Sequence, residues 1–532
     1  MKKKNFKKLI PCIVFISLQS YAQQDLFGKT YFSPRSQTTN SARRLVGQTP
    51  YMNKTKGETY YGVFSATAEY LRAFKTRRVA EYFFGTNEIK FSGSKVSTRE
   101  NTDVLADYFG LSPEYQGTLK LCPEARNFVM DFNLYVGLDG LYPGLYMQAS
   151  IPAVWTKHWI CLQENRLFEG NNTPYPEKYM ATGELAAPAA SPEKYFGGDL
   201  TWGDVKEGIK FGKIGCVQKT GVSDIWFAAG WNFIRRKRGH LGFNLQAAGP
   251  AGSRPNGVYM FEPVVGNGHH WEFGVGFNGG ILLWEGDVTR QVMLNVETNF
   301  TRLFKARQCR TFDFKSPRNC SCPRSLVTKF ASRFVLLKEF DETGNYTGTL
   351  IPAINKTTLP CKVWNSFKTD LTIMATYNDT RWTVDLGYNG WIRTKEKIQL
   401  CGTIAENKYA LKGIQDVAGA GANNTQSNAT VFGNVLTTQN QQNNADTTQT
   451  FISANDLDLC SAAAPTSITH KLFTHFSYAW DKDLYQKAIP FIGVGFQIEF
   501  EGVRPNDYPY YPAPDKNTMA QYGVWVKGGA AF

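Results

Sequence analysis

The sequence predicts an all-β fold, a transmembrane up-and-down antiparallel β-barrel of about 12 strands, with 14 strands possible. Two observations support this prediction. Segments of ten or more residues alternate apolar and polar side chains along most of the chain, and the connections between them are alternately short and long. A period of two indicates strands with one apolar face, and about ten residues is the length that a tilted strand needs to cross a bilayer.

The alternation locates the individual strands. In 126–138, for example, Phe128 and Phe132 share one face, whereas Asn127 and Asp131 share the other. The predicted strands lie near 59–73, 126–138, 142–155, 223–235, 239–249, 269–281, 291–304, 364–377, 381–393, 469–480, 487–500 and 518–532.

The connections between these strands support a closed barrel. Short connections such as 139–141 and 378–380 alternate with long ones such as 305–363, which is typical of transmembrane barrels. The stretches 78–92 and 325–338 would add a pair of strands and give the 14-stranded alternative. The chain ends on the alternating strand AQYGVWVKGGAAF, and a barrel permits this because closure pairs the last strand with the first.

A secretory signal peptide is predicted at residues 1–22. Five lysines precede an apolar stretch from Leu9 to Leu18, and S-Y-A at 20–22 has the small-x-small pattern of a cleavage site. Removal of these five lysines changes the formal net charge from +14 to +9, with 54 basic and 45 acidic residues left. We therefore expect an exported chain. No nucleic-acid partner is expected, because the sequence has no nucleic-acid-binding motif and no long basic helix.

Residues 23–58 do not alternate regularly, and the barrel is predicted to occupy 59–532. The stretch TTNSARRLVG has the pattern of a short helix with Asn40 or Ser41 as its N-cap. A periplasmic arm and a partial plug of the barrel are the two structured interpretations of this region. A flexible leader is the alternative.

The last strand carries a resemblance to a known family. Tyr522, Val524, Val526 and the terminal Phe532 belong to one alternating apolar row. With this row and the twelve predicted strands, the chain resembles the porin-like outer-membrane β-barrels of diderm (Gram-negative) bacteria. The resemblance is architectural and identifies no subfamily.

The resemblance implies an integral protein of the cell outer membrane, with short periplasmic turns and long extracellular loops. The implied partners are outer-membrane lipid and glycolipid, together with the barrel-assembly machinery, which in that family reads the four residues named above. A homo-oligomer is a possible assembly.

The predicted function is a pore for passive diffusion of small hydrophilic solutes or ions. The polar rows of the strands carry small polar side chains and single charges, which suit a wet lumen. The alternative is a surface adhesion or binding protein, with the barrel as an anchor and the long loops for recognition. The pore-lining candidates are Asn127, Asp131, Asn133, Asn232, Asn244, Gln246, Glu272, Glu297, Lys368, Asp370, Asp385, Lys471, Glu499 and Lys527.

No catalytic residue, cofactor or metal site is predicted, so the chain is not expected to be an enzyme. The stretch GVGFNG at 274–279 matches a dinucleotide-binding pattern but lies in an alternating strand, whereas that pattern must open a helix. His269 and His270 are adjacent, and neighbouring residues of a strand point to opposite faces. The G-x-S-x-G motif of many hydrolases is absent from the sequence.

Disulfide bonds are expected because they form in exported compartments. All nine cysteines beyond the signal peptide lie in segments predicted to be long loops. A bridge across the base of such a loop stabilises by about 4 kcal/mol in the chain-entropy model. The predicted bridges are Cys161–Cys216 and Cys401–Cys460. The remaining candidates are Cys309, Cys320, Cys322 and Cys361, whose pairing stays open, and Cys122 has no assigned partner.

Overall fold

The computed structural model describes residues 28–38, 40–53, 60–93, 95–100, 103–170, 191–286, 290–315, 331–343, 346–412, 451–480, 488–502 and 519–532. The predicted signal peptide, Cys320 and Cys322 lie outside these residues. Within them, no helix has both the length and the apolar character that crossing a membrane requires.

Twelve antiparallel strands form a closed barrel. In chain order they are β1 (Tyr61–Phe74), β2 (Gln116–Gly137), β3 (Leu145–Phe168), β4 (Ile225–Arg236), β5 (Gly239–Gly249), β6 (Glu272–Glu285), β7 (Gln291–Leu303), β8 (Lys368–Asn378), β9 (Trp382–Arg393), β10 (Ser467–Ala479), β11 (Ile489–Glu501) and β12 (Ala520–Ala531). Each strand pairs with the next one along the chain, and β12 pairs with β1, with Ala531 opposite Val63. The predicted 12-stranded barrel is therefore confirmed, and its first and last strands satisfy each other's backbone groups.

The outer face of the barrel is apolar and exposed, and its inner face is polar and buried. On β2, Phe128, Phe132 and Leu134 are exposed, whereas Asp131 and Asn133 are buried. Exposed aromatic side chains lie at both ends of the apolar band. Those at the short-turn end include Tyr60, Tyr142, Trp284, Trp382, Trp480 and Phe532, and those at the long-loop end include Trp271, Phe304, Phe367 and Phe500. An apolar band between two aromatic girdles is the surface of a barrel in a bilayer.

Two neighbouring strands continue beyond the membrane on the long-loop side. β2 has 22 residues and β3 has 24, about twice what a bilayer crossing needs. The sequence prediction made both strands too short, because the alternation reverses above the lipid. There the inward residues Leu119, Leu121 and Ala125 are apolar, while the outward Lys120 and Glu124 are charged.

In their described residues, the two stretches that would have given 14 strands do not enter the barrel. In 78–92, most residues belong to the helix Arg77–Phe84 and to the short strand Glu88–Ser92, which pairs with the upper part of β2. In 325–338, the strand Leu336–Phe340 begins, and it belongs to a separate three-stranded sheet.

The described parts of the long connections fold into one layer above the barrel, which we call the loop-side layer. A continuous cluster of buried apolar side chains, with Phe109, Tyr195 and Phe334 near its centre, holds this layer together. Its further strands are Val104–Leu105, Cys216–Val222, Ala306–Thr311, Asp313–Phe314, Tyr346–Pro352, Thr358–Trp364, Lys397–Leu400, Tyr409–Leu411 and Leu457–Asp458. Its further helical turns are Ala106–Phe109, Pro192–Gly197, Ala331–Phe334, Ile354–Thr357, Ala454–Asp456 and Leu459–Ala462.

Candidate functional site

The inner wall of the barrel carries all fourteen predicted pore-lining residues. Each of them lies on a barrel strand, and each side chain is buried. They are buried because another part of the chain fills the lumen beside them. Their role in solute passage stays a prediction.

The part of the chain inside the lumen is formed by residues 28–38 and 40–53, which we call the inner segment. At the loop side, Phe32 packs edge-on against Tyr82 and Phe261, with ring centroids 5.2 and 5.8 Å apart. At the short-turn side, the Asn53 backbone N–H donates to the Tyr135 hydroxyl at 3.1 Å. The inner segment therefore runs through the barrel from the loop side to the short-turn side.

Arg35 joins the inner segment to two wall strands that are separated by β9 and β10. Its guanidinium lies 2.9 Å from Asp370 on β8 and 3.0 Å from Glu499 on β11. All three side chains are nearly inaccessible to solvent. A buried arginine between two carboxylates forms charge-assisted hydrogen bonds, which are stronger than those between neutral groups.

Two further arginines lie in the short helix Ser41–Leu45, whose N-cap is Asn40, one of the two residues that the sequence offers for this position. Arg43 donates from Nε to Asp131 at 2.8 Å and also pairs with Glu69. Arg44 pairs with Glu297 on β7. The helix is thus tied to β1, β2 and β7 at once.

The C-terminal end of that helix is held by the last strand. Lys527 of β12 donates to the carbonyl oxygens of Arg43, Arg44 and Val46 at 2.9, 3.0 and 2.8 Å. These carbonyls have no partner within the helix, and a cation there also interacts favourably with the helix dipole. One residue further on, the Gly47 N–H donates to Asp385 at 2.7 Å.

The buried charges within the twelve barrel strands are offset by those of three arginines of the inner segment. On the twelve barrel strands, the buried side chains include four bases and seven acids, a formal charge of −3. Arg35, Arg43 and Arg44 supply +3. The bases are Lys368, Arg393, Lys471 and Lys527, and the acids are Glu69, Asp131, Glu272, Glu297, Asp370, Asp385 and Glu499.

Two cavities lie on either side of the helix Ser41–Leu45. The one towards the short turns has a volume of about 480 Å³ and is lined by Asn53, His240 and Asn295 among others. The one towards the loops has a volume of only about 40 Å³. The larger cavity is in the size range of small-molecule sites, and the helix closes it on the loop side.

A chain of neutral hydrogen bonds fixes the inner segment beside the larger cavity. The side-chain oxygen of Asn53 accepts a hydrogen bond from the side-chain amide of Asn232 at 2.8 Å. The side-chain oxygen of Asn232 accepts one from the amide of Asn278, also at 2.8 Å. Asn278 in turn accepts from the Tyr146 hydroxyl at 2.8 Å. Sequence reasoning had identified Asn232 as a wall residue but not its partner Asn53.

The seven described cysteines form no disulfide bond, so the predicted bridges are not confirmed. The prediction that the cysteines lie in loops is also wrong for two of them. Cys122 lies on β2 and Cys161 lies on β3, whereas Cys216 begins a strand of the loop-side layer that pairs with β3. Burial raises the pKa of the Cys361 thiol to about 12, so this thiol is a poor nucleophile at neutral pH. Of the other candidates, Cys309 lies on a strand, Cys401 follows one and Cys460 lies in a helical turn of the loop-side layer.

The predicted assembly signal lies on the outer face of β12. Tyr522, Val524 and Val526 are exposed in the apolar band, and Phe532 is exposed at the short-turn end. Recognition of these residues by the assembly machinery stays a prediction. Among the described residues, no group of three or more His, Cys, Asp or Glu side chains has the arrangement of a metal site.

The comparisons with known proteins show no match to a family model and none to a curated protein. Solved structures with a similar course of the chain include an outer membrane channel from Pseudomonas putida F1, at 7% identity and a TM-score of 0.32, with 90% of this chain and 99% of that chain covered. A Pseudomonas aeruginosa FadL homologue matches at 7% identity and a TM-score of 0.29, over 94% of this chain and 99% of that one. The Ralstonia pickettii toluene transporter TbuX matches at 10% identity and a TM-score of 0.25, over 96% and 98%.

Similarities at this level carry no argument about solutes, and the assignment of the chain rests on its own geometry. The closed barrel, the apolar band and the two aromatic girdles define an integral β-barrel membrane protein. The chain is accordingly an integral β-barrel protein of the outer-membrane type, with short turns on one side of the barrel and long connections on the other.

Proposed function

We propose that the protein is an outer-membrane channel for small hydrophilic solutes and that the inner segment holds it closed. The observation that carries this proposal is the charge balance inside the barrel, where three arginines of the inner segment offset the formal charge of −3 on the wall. A wall built only as an anchor needs no such charges, since an apolar core would fill the barrel at less desolvation cost.

The neutral hydrogen bonds of the inner segment are of a kind that water can replace. Gln48 bonds to Ser65, and Thr49 bonds to Thr376 at 3.4 Å. Each such bond contributes only about 0.5–1.5 kcal/mol net, because water offers similar partners to the separated groups. Phe32, by contrast, packs in the apolar core of the loop-side layer. Opening therefore involves residues 33–53, while the loop-side end remains anchored.

The wall also indicates which solutes pass. When the arginines leave the lumen, the remaining formal charge of −3 lies in a narrow space. Rings and patches of acidic side chains favour cations in pores. We therefore propose a preference for cations and for neutral or positively charged hydrophilic solutes.

The experiment is single-channel recording of the full chain in planar bilayers, with ion substitution. The expected result is discrete conductance steps with long closed intervals, and reversal potentials that indicate cation preference. A correctly folded protein that never opens, or one that prefers anions, contradicts the proposal.

A tether distinguishes opening by the inner segment from leakage around it. In the double variant Gln48→Cys and Ser65→Cys, a reducible bis-methanethiosulfonate reagent can bridge the two thiols, which replace side chains that touch. We expect the cross-linked variant to stay closed and a reductant to restore the steps. The single variant Ser65→Cys is the matched control, and it should conduct under both conditions.

The second candidate function is a surface binding protein that uses the barrel as an anchor. The filled lumen and the folded loop-side layer favour it. It differs from the channel in one measurable respect. An anchor shows no conductance steps in the bilayer even after the contacts of Arg35, Arg43 and Arg44 have been removed.

A further inference from the structure

Three cations form one row on the outer face of neighbouring barrel strands. Arg72 on β1 lies directly opposite Arg126 on β2, and Arg126 lies directly opposite Lys157 on β3. All three side chains point outward, with about 40% of the Arg72 and Arg126 side chains exposed (42% and 37%). Adjacent strands are about 4.8 Å apart, so three like charges lie side by side.

This row lies at the upper edge of the lipid-facing band. The next outward positions towards the membrane are Tyr70, Phe128 and Trp155, and they also lie opposite one another in the same register. Phe128 is exposed, as lipid contact requires. An aromatic row followed by a cationic row indicates the level of lipid headgroups.

The protein itself offsets only part of this charge. Glu124 lies 3.6 Å from Arg72 and 3.2 Å from Arg126, which leaves a formal local charge of +2. Arg126 and Lys157 also lie over the Trp159 ring, 4.9 and 5.3 Å from its centroid. Like charges at directly opposite positions of a sheet are destabilising, so this row is most stable with an anion beside it.

We propose that this surface binds the phosphate groups of a phosphorylated lipid in the outer leaflet. One guanidinium group can donate two parallel hydrogen bonds to phosphate oxygens. Two guanidinium groups lie side by side here. The apolar column below the row, which includes Phe128, Met130 and Phe132 of β2, lies where the acyl chains of such a lipid run. The long-loop side of the barrel places the row in the outer leaflet. This inference is independent of whether the lumen conducts.

The test compares two triple variants that each remove three positive charges. The site variant is Arg72→Gln, Arg126→Gln and Lys157→Gln. The control is Lys206→Gln, Lys210→Gln and Lys408→Gln, which changes exposed lysines of the loop-side layer. Heat-dependent gel mobility establishes that both variants fold as barrels.

The readout is the amount of lipid that remains bound to the detergent-purified protein in native mass spectrometry, after incubation with a diphosphorylated glycolipid. We expect about 100-fold weaker binding for the site variant, because each cation near an anionic surface contributes about fivefold, and unchanged binding for the control. The same glycolipid without its phosphates should bind the unaltered protein as weakly as the site variant binds the phosphorylated form.

Inorganic phosphate separates a lipid site from a simple anion site. At millimolar concentration it should leave the lipid bound, because the acyl chains contribute to the affinity of the lipid only. Equal lipid retention in the site variant and the control overturns the inference. Displacement of the lipid by inorganic phosphate, or full binding of the dephosphorylated lipid, overturns it as well.

Discussion

Arg43 of the inner segment and Asp131 of the barrel wall form an ion pair in the lumen, with 2.8 Å between Nε and Oδ2. Both side chains are almost completely buried, and the same guanidinium also pairs with Glu69. Removal of one partner of a buried ion pair costs about 3–5 kcal/mol, because the remaining charged group is left without a partner and without water. A single substitution in this pair should therefore weaken the closed state.

Arg43→Met should loosen the inner segment. The substitution keeps much of the side-chain volume but leaves Glu69 and Asp131 facing each other without a cation. We expect the closed state to lose about 3–5 kcal/mol and the channel to open more often in planar bilayers. The double variant Arg43→Met and Asp131→Asn should recover part of the loss. An unchanged open probability in the single variant speaks against the inner segment as the closing element.

Cys122 and Cys161 should join when the protein is oxidised. They lie directly opposite each other on β2 and β3, whereas Cys216 lies opposite Trp159 and so is displaced from Cys161 by two positions. Directly opposite residues have Cβ atoms about 4.5–5.5 Å apart and diagonal ones about 7–8 Å, and a disulfide needs about 3.5–4.5 Å. Peptide mapping after mild oxidation should show a Cys122–Cys161 peptide. With Cys122→Ser, Cys161 should remain a thiol, and a Cys161–Cys216 peptide in the unaltered protein contradicts the register.

The strands could be predicted from the sequence because lipid imposes one pattern on every crossing. Outward residues must be apolar and inward residues are polar, so Phe128 and Asp131 reveal both the strand and its orientation. That pattern ends where the lipid ends. Above it, Leu121 faces inward and Lys120 outward, which is the pattern of an ordinary sheet over a core, and the prediction stopped too early.

The contents of the lumen could not be predicted from local patterns. Arg43 and Arg44 appear in the sequence only as two basic residues of a short helix, and their partners Asp131 and Glu297 lie far along the chain. One signal was present in the sequence. The wall candidates contain more acids than bases, and an enclosed wall with excess acid needs cations from elsewhere.

The loop-side layer should loosen at low pH through Glu396. Burial disfavours the charged form of this carboxylate, but Arg310, Arg393 and the Ala464 N–H outweigh burial and hold its pKa below the usual value of 4.5. Glu396 lies 3.4 Å from Arg310, 3.9 Å from Arg393 and 3.0 Å from the Ala464 nitrogen. A lowered pKa in the folded state means that the stabilisation is complete above the unfolded-state pKa and is lost as the pH falls through the folded-state pKa.

Hydrogen exchange measures this effect directly. Amides of Ala306–Thr311 and Lys397–Leu400 should lose protection as the pH falls below about 4.5, after correction for the intrinsic exchange rate. In Glu396→Gln the same amides should be less protected at neutral pH and should lack the acid-dependent step. Identical pH profiles for the variant and the unaltered protein would rule out Glu396 as the group responsible.

Gly47→Ala should weaken the closed state without harming the barrel. Gly47 has a φ of +68°, a left-handed conformation that costs a residue with a Cβ about 1–2 kcal/mol. A Cβ at this position would also lie 2.9 Å from Nε2 of His475, which packs on the wall beside it. The hydrogen bond from the Gly47 N–H to Asp385 depends on the same local geometry. We expect the open probability to rise at least fivefold, while heat-dependent gel mobility shows an intact barrel.

The matched control for this substitution is Gly197→Ala. Gly197 ends the helix Pro192–Gly197 of the loop-side layer, and a Cβ there meets no atom within 4 Å. Replacement of a helical glycine by alanine is neutral or stabilising by up to about 1 kcal/mol, and this position has no contact with the lumen wall. The conductance of the Gly197→Ala variant should equal that of the unaltered protein. If both alanine variants open equally often, the effect at Gly47 is not specific, and the inner segment is not held by its geometry at that residue.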